Sequence, residues 1–160
     1  MLPQEKIVKI LKNKGLKLAT AESCTGGLIA KLITDVPGSS AMFDMGIVSY
    51  ANEIKHRFLG VPNEILDTVG AVSEETAKAM AIGVCNAANA DIATATTGIA
   101  GPTGGTPEKP VGLVYVGCYC NGVVTVEECR FEGDREQNRN AAVEAALELL
   151  WKTLSNSQKS

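Results

Sequence analysis

Three polar clusters carry the residue types that could do chemistry: Glu22-Ser23-Cys24-Thr25-Gly26-Gly27, Tyr50 followed by Lys55-His56, and Thr97 running into Gly98 and a glycine-rich loop. A serine ahead of a helix start can act as a nucleophile. The N–H groups of residues 24–27 can face an oxyanion there, and Gly26 and Gly27 let a substrate approach closely. The same serine can equally be an ordinary N-cap. As a nucleophile it needs a base, and His56 is the only histidine. Lys55 competes with it, because adjacent helical residues diverge by about 100° and cannot both face one hydroxyl. A lysine serves only when neutral, so burial must pull it below its usual pKa of about 10.4. The competing picture is a solvated face of Lys55, His56 and Arg57. Cys24 is a rival nucleophile, as the one thiol whose position at a helix start could lower its pKa.

Arg139 precedes Val143 and Leu147 at intervals of four, which continues the core-facing line of the last helix toward its N-terminus. An arginine there needs an anion, either a substrate phosphate or a carboxylate such as Glu22 or Asp134. Arg135, one turn earlier, is expected to be exposed. The loop from Gly98 to Gly105 is neither a Walker loop nor a G-x-G-x-x-G fingerprint, so it reads only as a generic anion nest. Cys118 and Cys120 share one strand face and read as small core residues rather than a redox pair. No metal site is expected, since there is one histidine and no paired C-x-x-C spacing.

These clusters must be positioned by a recognisable set of elements. Ile7, Val8, Ile10 and Leu11 recur at helical spacing before Gly15, and Leu16–Ala21 reads as a strand. Phe43–Tyr50 is a second strand, and Asn52 is expected to cap a helix closed by Gly60. Pro62 starts a further helical turn. Ser73 caps a helix from Glu74 to about Ala88, and Asp91–Thr97 is a third strand. Val111–Cys120 and Val123–Glu132 flank Asn121-Gly122, the favoured pair of a type I′ hairpin. A final helix opens with Asp134 and Gln137 as a capping box. The order predicts an α/β protein: a three-layer α/β/α sandwich around a mixed, mostly parallel sheet of about five strands ending in a hairpin. In such sheets ligands bind beyond the carboxyl ends of the strands, where Ser23, Tyr50 and Thr97 would converge.

The 160 residues predict one domain over 1–154, with a flexible tail over 155–160. The 15 Lys+Arg against 18 Asp+Glu give a net charge of −3, which disfavours a nucleic-acid partner. The N-terminal charges do not suit a signal peptide, and no apolar run nears the ~18 residues of a membrane span. A soluble, cytoplasmic protein with no membrane partner is expected, and five irregularly spaced cysteines are expected to be reduced.

Ala21-Glu22-Ser23-Cys24-Thr25-Gly26-Gly27, the run from Gly46 to Lys55, Gly70-Ala71-Val72-Ser73-Glu74, the block from Gly98 to Gly105 and Gly133-Asp134-Arg135 together resemble the C-terminal domain family of CinA, the competence/damage-inducible protein. The blocks match in order over nearly the whole chain. The resemblance implies a nicotinamide-nucleotide amidase, which converts nicotinamide mononucleotide to nicotinate mononucleotide and ammonia in pyridine-nucleotide salvage, with no cofactor. It implies Ser23 as nucleophile, Lys55 rather than His56 as base, and Tyr50 orienting the lysine or relaying a proton. It places substrate binding on Cys24, Thr25, Gly26, Gly27, Thr97, Gly98 and Arg139, and implies a homodimer or higher homo-oligomer. Longer members carry a front domain associated with nucleotide pyrophosphatase chemistry, for which 160 residues leave no room. Two rivals remain: an amide or ester hydrolase of another substrate with the same dyad, and a catalytically silent nucleotide-binding domain.

Overall fold

The computed structural model describes residues 1–157. In chain order it holds α1 (Pro3–Lys14), β1 (Leu18–Glu22), α2 (Leu28–Thr34), a 3-10 turn (Ser39–Ala41) and β2 (Phe43–Val48). α3 (Asn52–Leu59), α4 (Asn63–Thr68), α5 (Glu74–Ala88), β3 (Ile92–Gly98), β4 (Leu113–Cys120), β5 (Val123–Arg130) and α6 (Arg135–Ser157) complete it. The strands lie in the order β2-β1-β3-β4-β5. β1 is parallel to both β2 and β3, while β3, β4 and β5 are antiparallel. This is the five-stranded mixed α/β sheet that the order of elements predicts. Parallelism of β1, β2 and β3 brings their carboxyl ends to one edge.

Alternation along the central strands sorts two cores. Leu18 and Ile92 face α1, α2 and α6, where Ile7, Leu11, Ile29 and Leu150 are buried. Ala19, Ala21, Ala93 and Ala95 face the other way, against Met80, Ala81 and Val84 of α5 and Leu59 of α3. The alanines on that face leave room for α5 to cross β1, β3 and β4 closely.

Several local signals act as expected. Gly15 and Gly60 end α1 and α3 in the left-handed region, and Ser73 Oγ accepts from Thr76 N at 3.2 Å. Asn121 and Gly122 both have positive φ, as a type I′ turn requires. Asp134 Oδ1 accepts from Gln137 N, and Gln137 Oε1 from Asp134 N, which closes the capping box of α6. Asn52 differs: it is the first helical residue, after Ala51 as an N-cap with no side-chain bond. α6 also runs on through Ser155 to Ser157, where a tail was expected from 155, because neither glycine nor proline follows Leu154 to stop it. The rest of that stretch, 158–160, lies outside the described residues. No helix among the described residues is long and apolar enough to cross a membrane.

Candidate active site

Ser23 lies one residue past β1, and its neighbours are set by the sheet. Its N–H donates to Thr96 O at 3.0 Å, which extends the parallel ladder and sets Ser23 beside Thr97. Both side chains take the side of Ala21 and Ala95, under α3 and α5. A cleft of about 330 Å³ opens there, with Ser23, Cys24, Lys55, Thr97, Gly98 and Arg135 in its wall. A larger groove of about 660 Å³ lies past Val72 around Glu74, Glu75 and Glu128, away from the serine. The candidate residues belong to the smaller cleft.

α3 delivers the lysine. Lys55 and Leu59 stand one turn apart on its buried face, and Lys55 is only 1% exposed. α5 presses on this helix through Gly83, where a Cβ would stand 1.8 Å from Leu59 O, so only glycine permits the approach. Lys55 Nζ lies 3.2 Å from Ser23 Oγ and donates to the carbonyl of Tyr50 at 3.1 Å. It forms no ion pair among the described residues. Burial without a counter-ion pushes the amine below its ordinary value near 10.5, and the Cys24 sulfur acts weakly the other way. His56 is exposed, its Nδ1 2.8 Å from Val61 O. The solvated face therefore holds for His56 and Arg57 and fails for Lys55.

Cys24 is a poor nucleophile despite its place beside Ser23, because burial pushes its thiol up to about 11. All five cysteines are free thiols.

The cap of α2 is not Ser23. Glu22, 1% exposed, accepts from Ile29 N at 2.8 Å, from Ala30 N at 3.2 Å and from Thr25 Oγ1 at 2.6 Å. Thr25 Oγ1 also lies 2.8 Å from the Thr96 hydroxyl. This carboxylate complements the first N–H groups of the helix, which releases the serine from capping. It also corrects two expectations. Thr25, Gly26 and Gly27 lie on the α2 side or within the turn and do not line the cleft, and the Gly26 N–H is occupied by Ser23 O at 3.0 Å. Gly26 and Gly27 serve the turn instead, with φ of 62° and 103°.

Arg139 is placed differently from the expected phosphate reader. It is half-buried, and it donates from Nε to Cys24 O at 3.1 Å and from Nη2 to Thr25 O at 3.2 Å. It thus holds the turn after Ser23 from behind, outside the cleft. Carbonyl oxygens, not a carboxylate, are the partners its buried position supplies. Arg135 is exposed as predicted, but it bends over the cleft and donates to Gly101 O at 2.8 Å and to the Tyr50 hydroxyl at 3.1 Å. The Tyr50 phenol therefore stands on the rim, and the main chain of that residue is what holds the lysine.

The loop after β3 is anchored by a residue that sequence reasoning missed. Asn138, 1% exposed, donates to Ala100 O and Gly133 O, each at 3.0 Å, and accepts from Gly133 N. Its position four residues after Asp134, on the inward line of α6, was the available signal. Gly98 is required by contact: a Cβ there would stand 2.6 Å from Val114 Cγ2 and 2.7 Å from Leu113 O. Thr97 Oγ1 donates to Ala71 O at 2.7 Å, so its lone pairs are what it offers a ligand.

Comparison with known proteins agrees with this architecture. The profile of the CinA C-terminal domain matches residues 3–154. A CinA-like protein of Kosmotoga olearia is 52% identical over 151 residues, which is 94% of this chain and 37% of that protein. The chain thus spans a little over a third of the length of the curated relatives it matches. The crystal structure of the competence/damage inducible protein CihA from Agrobacterium tumefaciens superposes with a TM-score of 0.89 at 45% identity, covering 97% of both chains. A CinA superfamily protein from Klebsiella pneumoniae gives 0.92 at 35% identity over 96% of each. With a matched profile that covers nearly its whole length, the chain belongs to the CinA C-terminal domain family.

Proposed function

We propose that this domain is a serine–lysine amidohydrolase that converts nicotinamide mononucleotide to nicotinate mononucleotide and ammonia. The observation that carries the reading is a buried lysine amine, with no carboxylate partner among the described residues, 3.2 Å from a serine hydroxyl at the wall of a cleft. Neutral Lys55 removes the proton of Ser23 Oγ as that oxygen bonds to the carboxamide carbon, and the C=O electron pair moves to oxygen. The Cys24 N–H, next to the nucleophile, faces the developing oxyanion. Lys55 returns its proton to the departing nitrogen, the C–N bond breaks and ammonia leaves. Water then gives a proton to the same amine and attacks the ester, releasing the acid and restoring Ser23. No cofactor enters this sequence.

Arg135, above the cleft, meets the phosphate in this reading, a role supported by its position over the loop from Gly98 to Gly104. Remote binding of this kind orients the reacting carbonyl. The reading also carries a homodimer or higher homo-oligomer, which light scattering of the purified chain tests. The decisive experiment incubates the protein with nicotinamide mononucleotide and follows the one-dalton gain from amide to acid, with Ser23→Ala as control. Conversion by the wild type alone supports the amidase. Thermal stabilisation by the nucleotide without product would instead make the domain a silent binder.

A further inference from the structure

The row of strand ends holds a third hydroxyl. Ser49 N donates to Glu22 O at 2.8 Å, which carries the β1–β2 ladder one step past Glu22 and Val48 and sets Ser49 beside Ser23. Alternation puts it on the same face: Met45 and Ile47 pack with Ala19 and Ala21, and Val48 meets Gly27 on the α2 side. Ser49, Ser23 and Thr97 thus stand abreast across β2, β1 and β3. Thr97 is bonded to Ala71 and Ser23 to Lys55, while the Ser49 hydroxyl, like that of Thr20 on the other face, is fully buried with no partner among the described residues. A buried hydroxyl left unpaired is uncommon and destabilising. Valine or alanine would fill a β-face position without that penalty.

An unused acceptor beside Ser23, and one residue before the carbonyl that holds Lys55, has a use. As an ammonium, Lys55 presents three donors, and it has Tyr50 O and Ser23 Oγ to receive them. When Ser23 Oγ bonds to the carboxamide carbon it becomes an ether-like oxygen of the tetrahedral adduct and a poorer acceptor, at the moment when the amine is charged. We infer that Ser49 is a positioning residue for Lys55: its hydroxyl accepts a hydrogen bond from the lysine once the lysine has taken the serine's proton. No bond to Ser49 is made or broken beyond that hydrogen bond. The catalytic meaning rests on the amidase reading, while the contact itself does not.

Little else near the lysine competes for this role. Cys24 is the titratable group on the turn after β1, and Arg135 of α6 stands across the cleft. α5 presents Met80, Ala81, Val84 and Cys85, and β2 and β3 present no charged side chain to this face. Glu53, His56 and Arg57 share α3 and are exposed.

The test titrates Lys55 directly, from the pH dependence of its 13Cε NMR signal, identified by its loss in Lys55→Met. Ser49→Ala is expected to lower the lysine's pKa by at least half a unit, about threefold in its protonation equilibrium, with Ser49→Thr like wild type. In the amidase assay, Ser49→Ala should lower kcat about tenfold with KM unchanged, as loss of an interaction made after binding does. Ser49→Cys, close in shape and a weak acceptor, should follow alanine and stands in if that variant misfolds. An unchanged Lys55 titration in folded Ser49→Ala or Ser49→Cys overturns the assignment, because a purely structural serine moves Tm without moving the lysine. Should the wild type leave nicotinamide mononucleotide intact, the amidase reading fails and the titration still decides on Ser49.

Discussion

Glu22 and Ser23 are neighbours in sequence and face opposite sides of the sheet, and their immediate surroundings are built on opposite rules. On the α2 side, the Glu22 carboxylate receives three donors, and Thr25 and Thr96 close the set, so these buried polar atoms are satisfied by their neighbours. On the α3 side, a lysine is buried with a hydroxyl and one carbonyl for company and no carboxylate. A satisfied network in a dry interior rigidifies, and an unsatisfied one raises the energy of a particular protonation state. The first side holds the turn still; the second disfavours the charged form of its lysine. One dipeptide at a strand end therefore supplies both the support and the hydroxyl that the proposed reaction uses.

Variants on the two sides should accordingly fail in different ways. The largest effect is expected on the open side: Ser23→Ala and Lys55→Met should each lower turnover of nicotinamide mononucleotide by at least about 100-fold in a folded protein. Near wild-type ammonia release by either variant would dissolve the distinction between the sides. On the closed side, Glu22→Ala strands two helix N–H groups, leaves the Thr25 hydroxyl only Thr96 as partner, and should cost about 2–4 kcal/mol in urea unfolding. Glu22→Gln retains an acceptor and should recover part of that loss. An unfolding midpoint for Glu22→Ala equal to wild type would mean that the network holds nothing in place.

A smaller contrast separates the two arginines. Arg135→Ala should raise KM for the nucleotide about tenfold, near 1.4 kcal/mol, and leave that for the dephosphorylated riboside little changed. Arg139→Ala should act on both substrates alike and mainly through kcat, because its contacts are the carbonyls of Cys24 and Thr25 behind the nucleophile. Equal KM effects of Arg135→Ala on both substrates would take the phosphate away from it.

The parts of this arrangement legible in the sequence are those decided within one or two turns of chain. Asn121-Gly122 specified a hairpin, Ser73 a cap, and three strand-to-loop junctions a common edge, because each depends on backbone preferences of adjacent residues. The roles that were misread depend on what lies across the fold. Arg139 does turn inward, as its spacing from Val143 requires, but its partners there are carbonyls of a turn 114 and 115 positions away in sequence. Arg135 reaches the cleft because the loop bearing Gly101 folds under it, which no local pattern encodes. Glu22 caps a helix seven residues ahead, beyond the reach of the usual capping motif. The choice between Lys55 and His56 was legible in principle: Lys55, not His56, shares a helical line with the apolar Leu59.

The smallest expected effect is also the one that bears most directly on the unpaired lysine. Burial lowers the folded-state pKa of Lys55 below its ordinary value near 10.5, which the unfolded chain retains. Between the folded value and 10.5 the unfolded chain binds more protons than the native one, so wild-type stability rises with pH across that window. Below the window the native state holds a buried ammonium, which disfavours the fold. Lys55→Met keeps the unbranched shape and removes the titrating group, so it should be more stable than wild type at neutral pH, on the order of 1 kcal/mol. That advantage should shrink as pH climbs through the window and vanish above 10.5, where the wild-type amine is neutral in both states. Every other titrating group is common to the two proteins and cancels in their difference. Parallel unfolding midpoints at pH 7 and pH 10 would mean that Lys55 titrates as an ordinary lysine, and the open side of the turn would then lack its neutral base.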